Sequence, residues 1–144
     1  MATQTYANHR QFSRPFHFVL MPILFLTLIG SIVNLTKSVD DHERLYSAAL
    51  LVVLSASMLF LAVMSRIFAL RAQDRAIRGE ENLRHLVIAG KLLDARLGTK
   101  QVVALRFASD AEFPALAQVA AEKAMSPDAI KQAVKSWRAD TYRV

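Results

Sequence analysis

Two runs of the chain, Phe18–Thr36 and Leu45–Ser65, contain no Asp, Glu, Lys, Arg or His. Wound as helices at about 1.5 Å per residue, each covers roughly 30 Å, the thickness of a bilayer's hydrocarbon core. The pattern predicts a transmembrane hairpin over residues 18–65, with spans at 18–36 and 45–65 and a short outside loop at 37–44. The first run is long for the apolar segment of a signal peptide, and no A-x-A-like cleavage site follows it. It therefore reads as a retained span. Pro15 suits the first turn of that span, while Pro22, deeper in, predicts a bend or a later helix start.

Within the first span, Thr27, Ser31 and Asn34 recur at i, i+4, i+7 with Gly30 beside them. The second span carries Ala48, Ser55 and Ala62 on a seven-residue repeat. Lipid gives helices no hydrophobic reason to associate, so small side chains that permit close approach drive packing. These two stripes are expected to meet. A polar pathway for an ion would call for an acid or base inside the spans, and the two runs contain none.

After Ser65 the helical pattern continues. No proline interrupts Ile67 through Leu97. Ile77, Arg84, Ile88 and Lys91 share one side, and Leu83, Leu86, Val87, Gly90, Leu93 and Leu97 form an apolar stripe. The second helix is expected to run on to a break at Gly98, with Gly79 and Gly90 as its weak points. Three shorter helices follow. Thr99 starts one over Lys100–Phe107, and Ser109 or Asp110 caps another that runs to about Ala124. Ser126-Pro127-Asp128 opens a last one carrying Ile130, Ala133, Val134 and Trp137 at i, i+3, i+4, i+7.

The predicted fold is all-α. A transmembrane helical hairpin has its second helix extended into the cytoplasm and packed with three short helices. Residues 1–17 form an interfacial N-terminal arm, 18–65 the hairpin and 66–144 a cytoplasmic helical domain. Nothing in the pattern predicts strands.

Charge orients this hairpin. Arg10 and Arg14 precede the first span, and Arg66, Arg71, Arg75 and Arg78 follow the second. The connecting loop is acidic on balance. Positive residues near span ends stay on the cytoplasmic side, which predicts cytoplasmic N and C termini. The same six arginines are the candidate membrane-surface residues, since each basic side chain near an anionic leaflet contributes about 1 kcal/mol. A nucleic-acid partner is disfavoured: residues 101–144 hold six basic against five acidic side chains, too balanced for a DNA-reading face.

Candidate chemistry is sparse. With no cysteine there is no disulfide framework and no thiolate. The four histidines, His9, His17, His42 and His85, form no i, i+4 pair, and no acid completes a metal triad with them. No glycine-rich phosphate loop or nucleophile elbow is present, and no catalytic, cofactor or metal residue is assigned. Trp137, Asp140, Tyr142, Arg143 and Val144 are unusual for a fraying tail. They predict docking of the C-terminal segment, with Tyr6, Asn8, His9 and Arg10 as its counterpart and Arg106 and Phe107 among the candidate docking residues.

Several of these residues also carry a resemblance. Gln4, Tyr6 and Asn8-His9 at the start, Ala104-Leu105-Arg106-Phe107-Ala108-Ser109-Asp110 in the tail, Ile130-Lys131, Trp137, Asp140 and Arg143-Val144 together resemble a family of small bacterial membrane proteins of unknown function. The likeness covers the whole chain. It implies a bacterial source and the two-span topology, and it implies no activity; the expected location is the bacterial inner membrane. The expected role is that of a non-enzymatic structural or accessory subunit, joined to other membrane proteins or to copies of itself. A membrane-tethered binding or sensing module is the alternative, and a small homo-oligomeric channel lined by Thr27, Ser31 and Asn34 a third.

Overall fold

The computed structural model describes residues 4–8 and 12–140. The described residues are all-α, with helices α1 (Pro15–Lys37), α2 (His42–Ala89), α3 (Thr99–Leu105), α4 (Phe113–Glu122) and α5 (Pro127–Ala133). They divide into two compact units: residues 12–69, and residues 70–140 together with 4–8. The residues read as one interfacial arm, 1–17, are thus split. Gln4 to Asn8 belong with the tail, and Phe12 to His17 with the hairpin.

The first unit is a helical hairpin. α1 starts as a π-helix over Pro15–Leu20 and turns to regular α geometry at Met21. Pro22 lacks an N–H, and its ring would collide with the carbonyl four residues back. The wider winding just before it accommodates that misfit, so the helix passes Pro22 with a change of winding. Asp41 opens α2, its carboxylate accepting the N–H groups of Glu43 and Arg44 at 3.2 and 3.3 Å. α2 therefore begins at His42, with three polar residues ahead of the apolar run expected to start at Leu45. At the other end of the hairpin, the Arg66 guanidinium lies 5.8 Å from the centre of the Phe16 ring, which places α1 and α2 antiparallel.

The hairpin seam follows steps of three and four. On α1 from Met21 onward the shielded positions are Met21, Leu24, Leu28, Ser31 and Leu35, with Ser38 just past its end. On α2 they include Leu45, Ala48, Val52, Ser55, Leu59 and Ala62. This is the spacing of two helices packed at a shallow crossing angle, with small residues between larger ones. Ala48, Ser55 and Ala62 lie in the seam as expected, and so does Ser31. Thr27, Gly30 and Asn34 do not: all three are exposed. At about 100° per residue they sit some 40–100° around α1 from Ser31, on one side, because the seam tracks the leucine row. The channel-lining set is divided by the same rotation.

Both α1 and α2 are long and apolar enough to cross a membrane, and only 11% of the most apolar stretch of each is buried within the chain. A core helix of a soluble protein would be mostly covered. The hairpin hydroxyls meet their own helix: Thr27 donates to the Ile23 carbonyl at 2.8 Å, Ser31 to Leu28 at 2.8 Å and Ser55 to Leu51 at 2.6 Å. Such back-bonding satisfies these three hydroxyl donors within their own helices.

The second unit has the only extended core among the described residues. Leu97, Val102, Leu105, Phe107, Phe113 and Ile130 are almost fully buried, drawn from α3, α4, α5 and the segments between them. The expected continuation of α2 to Gly98 is corrected here. The helix stops at Ala89, where Gly90 takes a φ of +70° and donates its N–H to the Leu86 carbonyl at 2.9 Å. A left-handed residue just past the last turn ends a helix in this way, and glycine adopts it without a Cβ clash. Leu97 still reaches the core, carried there by a turn in which its N–H meets the Asp94 carbonyl at 3.0 Å.

The short helices also differ in their ends. Gly98 precedes α3 in place of Thr99 as cap, its N–H donating to the Gln101 side chain at 2.7 Å. α4 begins only at Phe113, since Ser109–Glu112 form a turn ahead of Pro114. It ends with Ala124 at φ 46° and the Met125 N–H on the Ala120 carbonyl at 3.0 Å. α5 is capped by Ser126, whose hydroxyl accepts the Ala129 N–H at 3.1 Å. It closes at Ala133 and not at Trp137. Val134 is extended, and the chain beyond it pairs with residues 107–109.

Candidate functional site

Arg84 is the centre of the most polar cluster in the structure. It occupies the last turns of α2, on the side that faces the core. One guanidinium nitrogen meets Glu81 at 2.8 Å, and another meets the Asp110 carboxylate at 2.6 Å and the Ala108 carbonyl at 2.7 Å. The plane lies over Phe113, 4.5 Å from the ring centre. Glu81 is 5% exposed, and Arg138 approaches its second oxygen at 3.5 Å. A buried carboxylate is tolerated here because opposite charges and a carbonyl satisfy the set from several directions. One turn on, His85 donates from Nδ1 to the Lys91 carbonyl at 2.7 Å and sets its ring edge against Phe113.

The string Ala104–Asp110 is what this cluster grips. Ala104, Leu105, Phe107 and Ala108 are buried. Arg106 Nε pairs with Asp140 at 3.1 Å, and the Phe107 and Trp137 rings stack with centres 4.9 Å apart. The Arg138 N–H donates to the Phe107 carbonyl at 2.7 Å and the Ser109 N–H to the Ser136 carbonyl at 3.1 Å. Glu112 secures the far edge, accepting the N–H groups of Lys135 and Ser136, both at 3.1 Å. The later part of the string is held from two sides: Arg84 of α2 reaches Ala108 and Asp110, and the extended segment 134–140 pairs with residues 106–109.

The N-terminal segment docks on the same unit. The Tyr6 hydroxyl meets Asp128 and Gln132 on α5, and Gln4 accepts the Asp140 N–H at 2.8 Å. Asn8 folds the segment on itself by accepting the Thr5 N–H at 2.6 Å. Among the candidate docking residues, then, Tyr6, Arg106, Phe107, Trp137 and Asp140 are gathered in one unit. His9, Arg10 and Arg143 lie outside the described residues.

The candidate membrane-surface arginines separate. Arg14, Arg71 and Arg75 are exposed, and Arg66 rests against Phe16. Arg78 faces inward and donates to the Thr99 hydroxyl at 2.9 Å, tying α2 to the start of α3. Its position one turn before Glu81 puts it on the docked side of α2.

Sequence reasoning passed over Glu81, and took Glu112 and Asp128 only as acids that complement a helix start. The signal available for Glu81 was its register on α2, four residues after Ile77 and four before His85, with Arg78 and Arg84 three residues away on either side. In the loop after α2, Asp94 accepts both the backbone and side-chain N–H groups of Arg96, which lowers its pKa to about 2. No group of three or more His, Cys, Asp or Glu is placed to hold a metal ion among the described residues.

The arrangement is one of mutual neutralisation. Every charged group around Arg84 is engaged by another part of the same unit, and its chemistry is that of a clamp. Comparison with curated proteins finds no match, and neither does comparison with solved structures. The model of one family, described as a family of unknown function (DUF6526), matches residues 1–144, and the chain belongs to that family.

Proposed function

We propose that this chain is a non-enzymatic bacterial inner-membrane protein, a structural or accessory subunit that assembles with copies of itself or with other membrane proteins. Its two spans are α1 and the apolar part of α2, with both flanks in the cytoplasm against anionic headgroups. The observation that carries the reading is the division of labour in the second unit. Its polar side chains hold the unit together, while Leu83, Leu86, Val87 and Leu92 stay 42–78% exposed on the surface. A surface of that kind suits a protein partner better than a small polar substrate.

The topology has independent support. Gln4 and Tyr6 precede the hairpin, and Asp128 and Asp140 follow it, yet they are hydrogen-bonded to one another. In a chain that crosses a bilayer twice, such contacts call for both flanks on one side. The arginine bias supports the cytoplasm as that side.

Native mass spectrometry of protein drawn from its host membranes in mild detergent tests the role. A multiple of 16.1 kDa supports self-assembly, and unrelated chains in fixed ratio support an accessory subunit. Monomer alone would sink both. Orientation is read separately with Asp40→Cys, in the loop between the spans of this cysteine-free chain. An impermeant maleimide should label it from the periplasmic side of intact cells.

A further inference from the structure

On the helix face opposite the clamp, α2 carries a second seam. Ile77, Glu81 and His85 are buried against the tail. Directly across the helix, Ala72, Ala76, Gly79, Leu83 and Leu86 are all exposed. Their steps of four, three, four and three are those of a coiled-coil stripe, and none is charged. Val87 widens the stripe and is 78% exposed. Arg75 and Glu80 flank it, one on each side, and both are exposed.

We infer that this face is the interface with a second copy of the chain, packed as a parallel, in-register pair. The charges select that occupant. With Ala76 and Leu83 at a positions, Arg75 falls at g and Glu80 at the following e, the two positions that meet between parallel helices. Arg75 of one copy then meets Glu80 of the other, and two-fold symmetry makes the pair twice. Within one helix the two are five residues apart and do not face each other. The inference rests on the membrane reading above, because copies inserted the same way present this stripe in parallel. Tethering also raises their effective concentration, which a two-heptad seam needs.

The test uses single cysteines in the full-length chain, in native membranes. Leu83→Cys and Leu86→Cys should give an oxidised dimer, while Gln118→Cys, exposed on α4, should not. Arg75→Glu or Glu80→Arg in the Leu83→Cys background should lower the dimer yield about fivefold by facing like charges, and the double exchange should restore it. Equal cross-linking of Gln118→Cys, or no response to the charge exchanges, would overturn the seam. A dimer in native mass spectrometry without seam cross-linking would overturn the seam alone. Monomer throughout would overturn the seam and the self-assembly reading together.

Discussion

Tyr6 and Asp128 stand 122 positions apart in the chain, and the Tyr6 hydroxyl lies 2.9 and 3.0 Å from the two carboxylate oxygens. The bond joins a segment ahead of the hairpin to the first turn of α5. It is charge-assisted and exposed, so its net contribution is about 1 kcal/mol. Tyr6→Phe, which keeps the ring and removes the donor, should lower the stability of the second unit by that amount. Chemical denaturation in detergent, followed by Trp137 fluorescence, measures it. An unchanged midpoint would show that the arm adds nothing to the fold.

Removing Arg84 should cost far more. Arg84→Leu leaves Glu81 buried at 5% exposure without its principal partner. Breaking a buried pair from one side costs about 3–5 kcal/mol. Arg84→Lys should recover little of the loss, because an ammonium cannot reach Glu81, Asp110 and the Ala108 carbonyl together. Thermal unfolding by circular dichroism separates the three proteins, and near-identical melting temperatures would refute the clamp.

Much of this fold is legible in the sequence. Charge-free runs announce α1 and α2, and Ser126-Pro127 announces α5, because span length and capping are local properties. The errors fall where tertiary contacts decide. Thr27, Gly30 and Asn34 share a face with Ser31 on paper, yet only Ser31 enters the seam, because rotation about α1 is set by its partner. Trp137 keeps helical spacing with Ile130 and Val134 but leaves the helix to pair with Ala108. Gly90 was readable as a weak point, and the turn that buries Leu97 is what makes it a stop.

Two backbone positions should respond in opposite directions. Gly90, at φ +70°, has open space around a would-be Cβ, so Gly90→Ala is opposed by backbone strain alone, about 1 kcal/mol. Ala124 already occupies that region at φ 46°, and Ala124→Gly should stabilise by a comparable amount. Paired denaturation curves check both signs at once.

The Asp94–Arg96 pair predicts a response to acid. Arg96 holds the Asp94 carboxyl at about 2, below its ordinary value of 3.8. A depressed carboxylate pKa gives stability that is present above the ordinary value and lost as pH falls toward 2. Both groups are fully exposed, so the effect should be small and should fade with added salt. Asp94→Asn should remove this part of the acid dependence and leave the melting temperature near neutrality almost unchanged. A carboxyl titration followed by NMR reads the shift directly, and a midpoint near 4 would contradict it.

Glu112 should control the extended segment. Its carboxylate accepts the backbone N–H groups of Lys135 and Ser136. Glu112→Ala should therefore speed hydrogen exchange over residues 135–138 at least tenfold, the counterpart of about 1.4 kcal/mol, with little change in α3. Uniform acceleration across the tail would mean that the segment does not open by itself.

The bond between the Asp140 N–H and Gln4 also fixes an order of events during synthesis. Gln4 is translated before either long apolar helix, and Asp140 after both. The ribosome delivers Gln4 first, and the residue then waits through the synthesis of the whole hairpin for its partner to emerge. The core of α3, α4 and α5 draws only on residues after the hairpin and can close as they emerge, so the bonds to Gln4 and Tyr6 come last, and in the proposed topology they form only when both ends share a side. In the proposed two-span topology, a chain with one flank on the wrong face would lose the Gln4 and Tyr6 bonds alone, leaving Asp128 and the Asp140 N–H without them while the core around Phe107 and Ile130 stays closed.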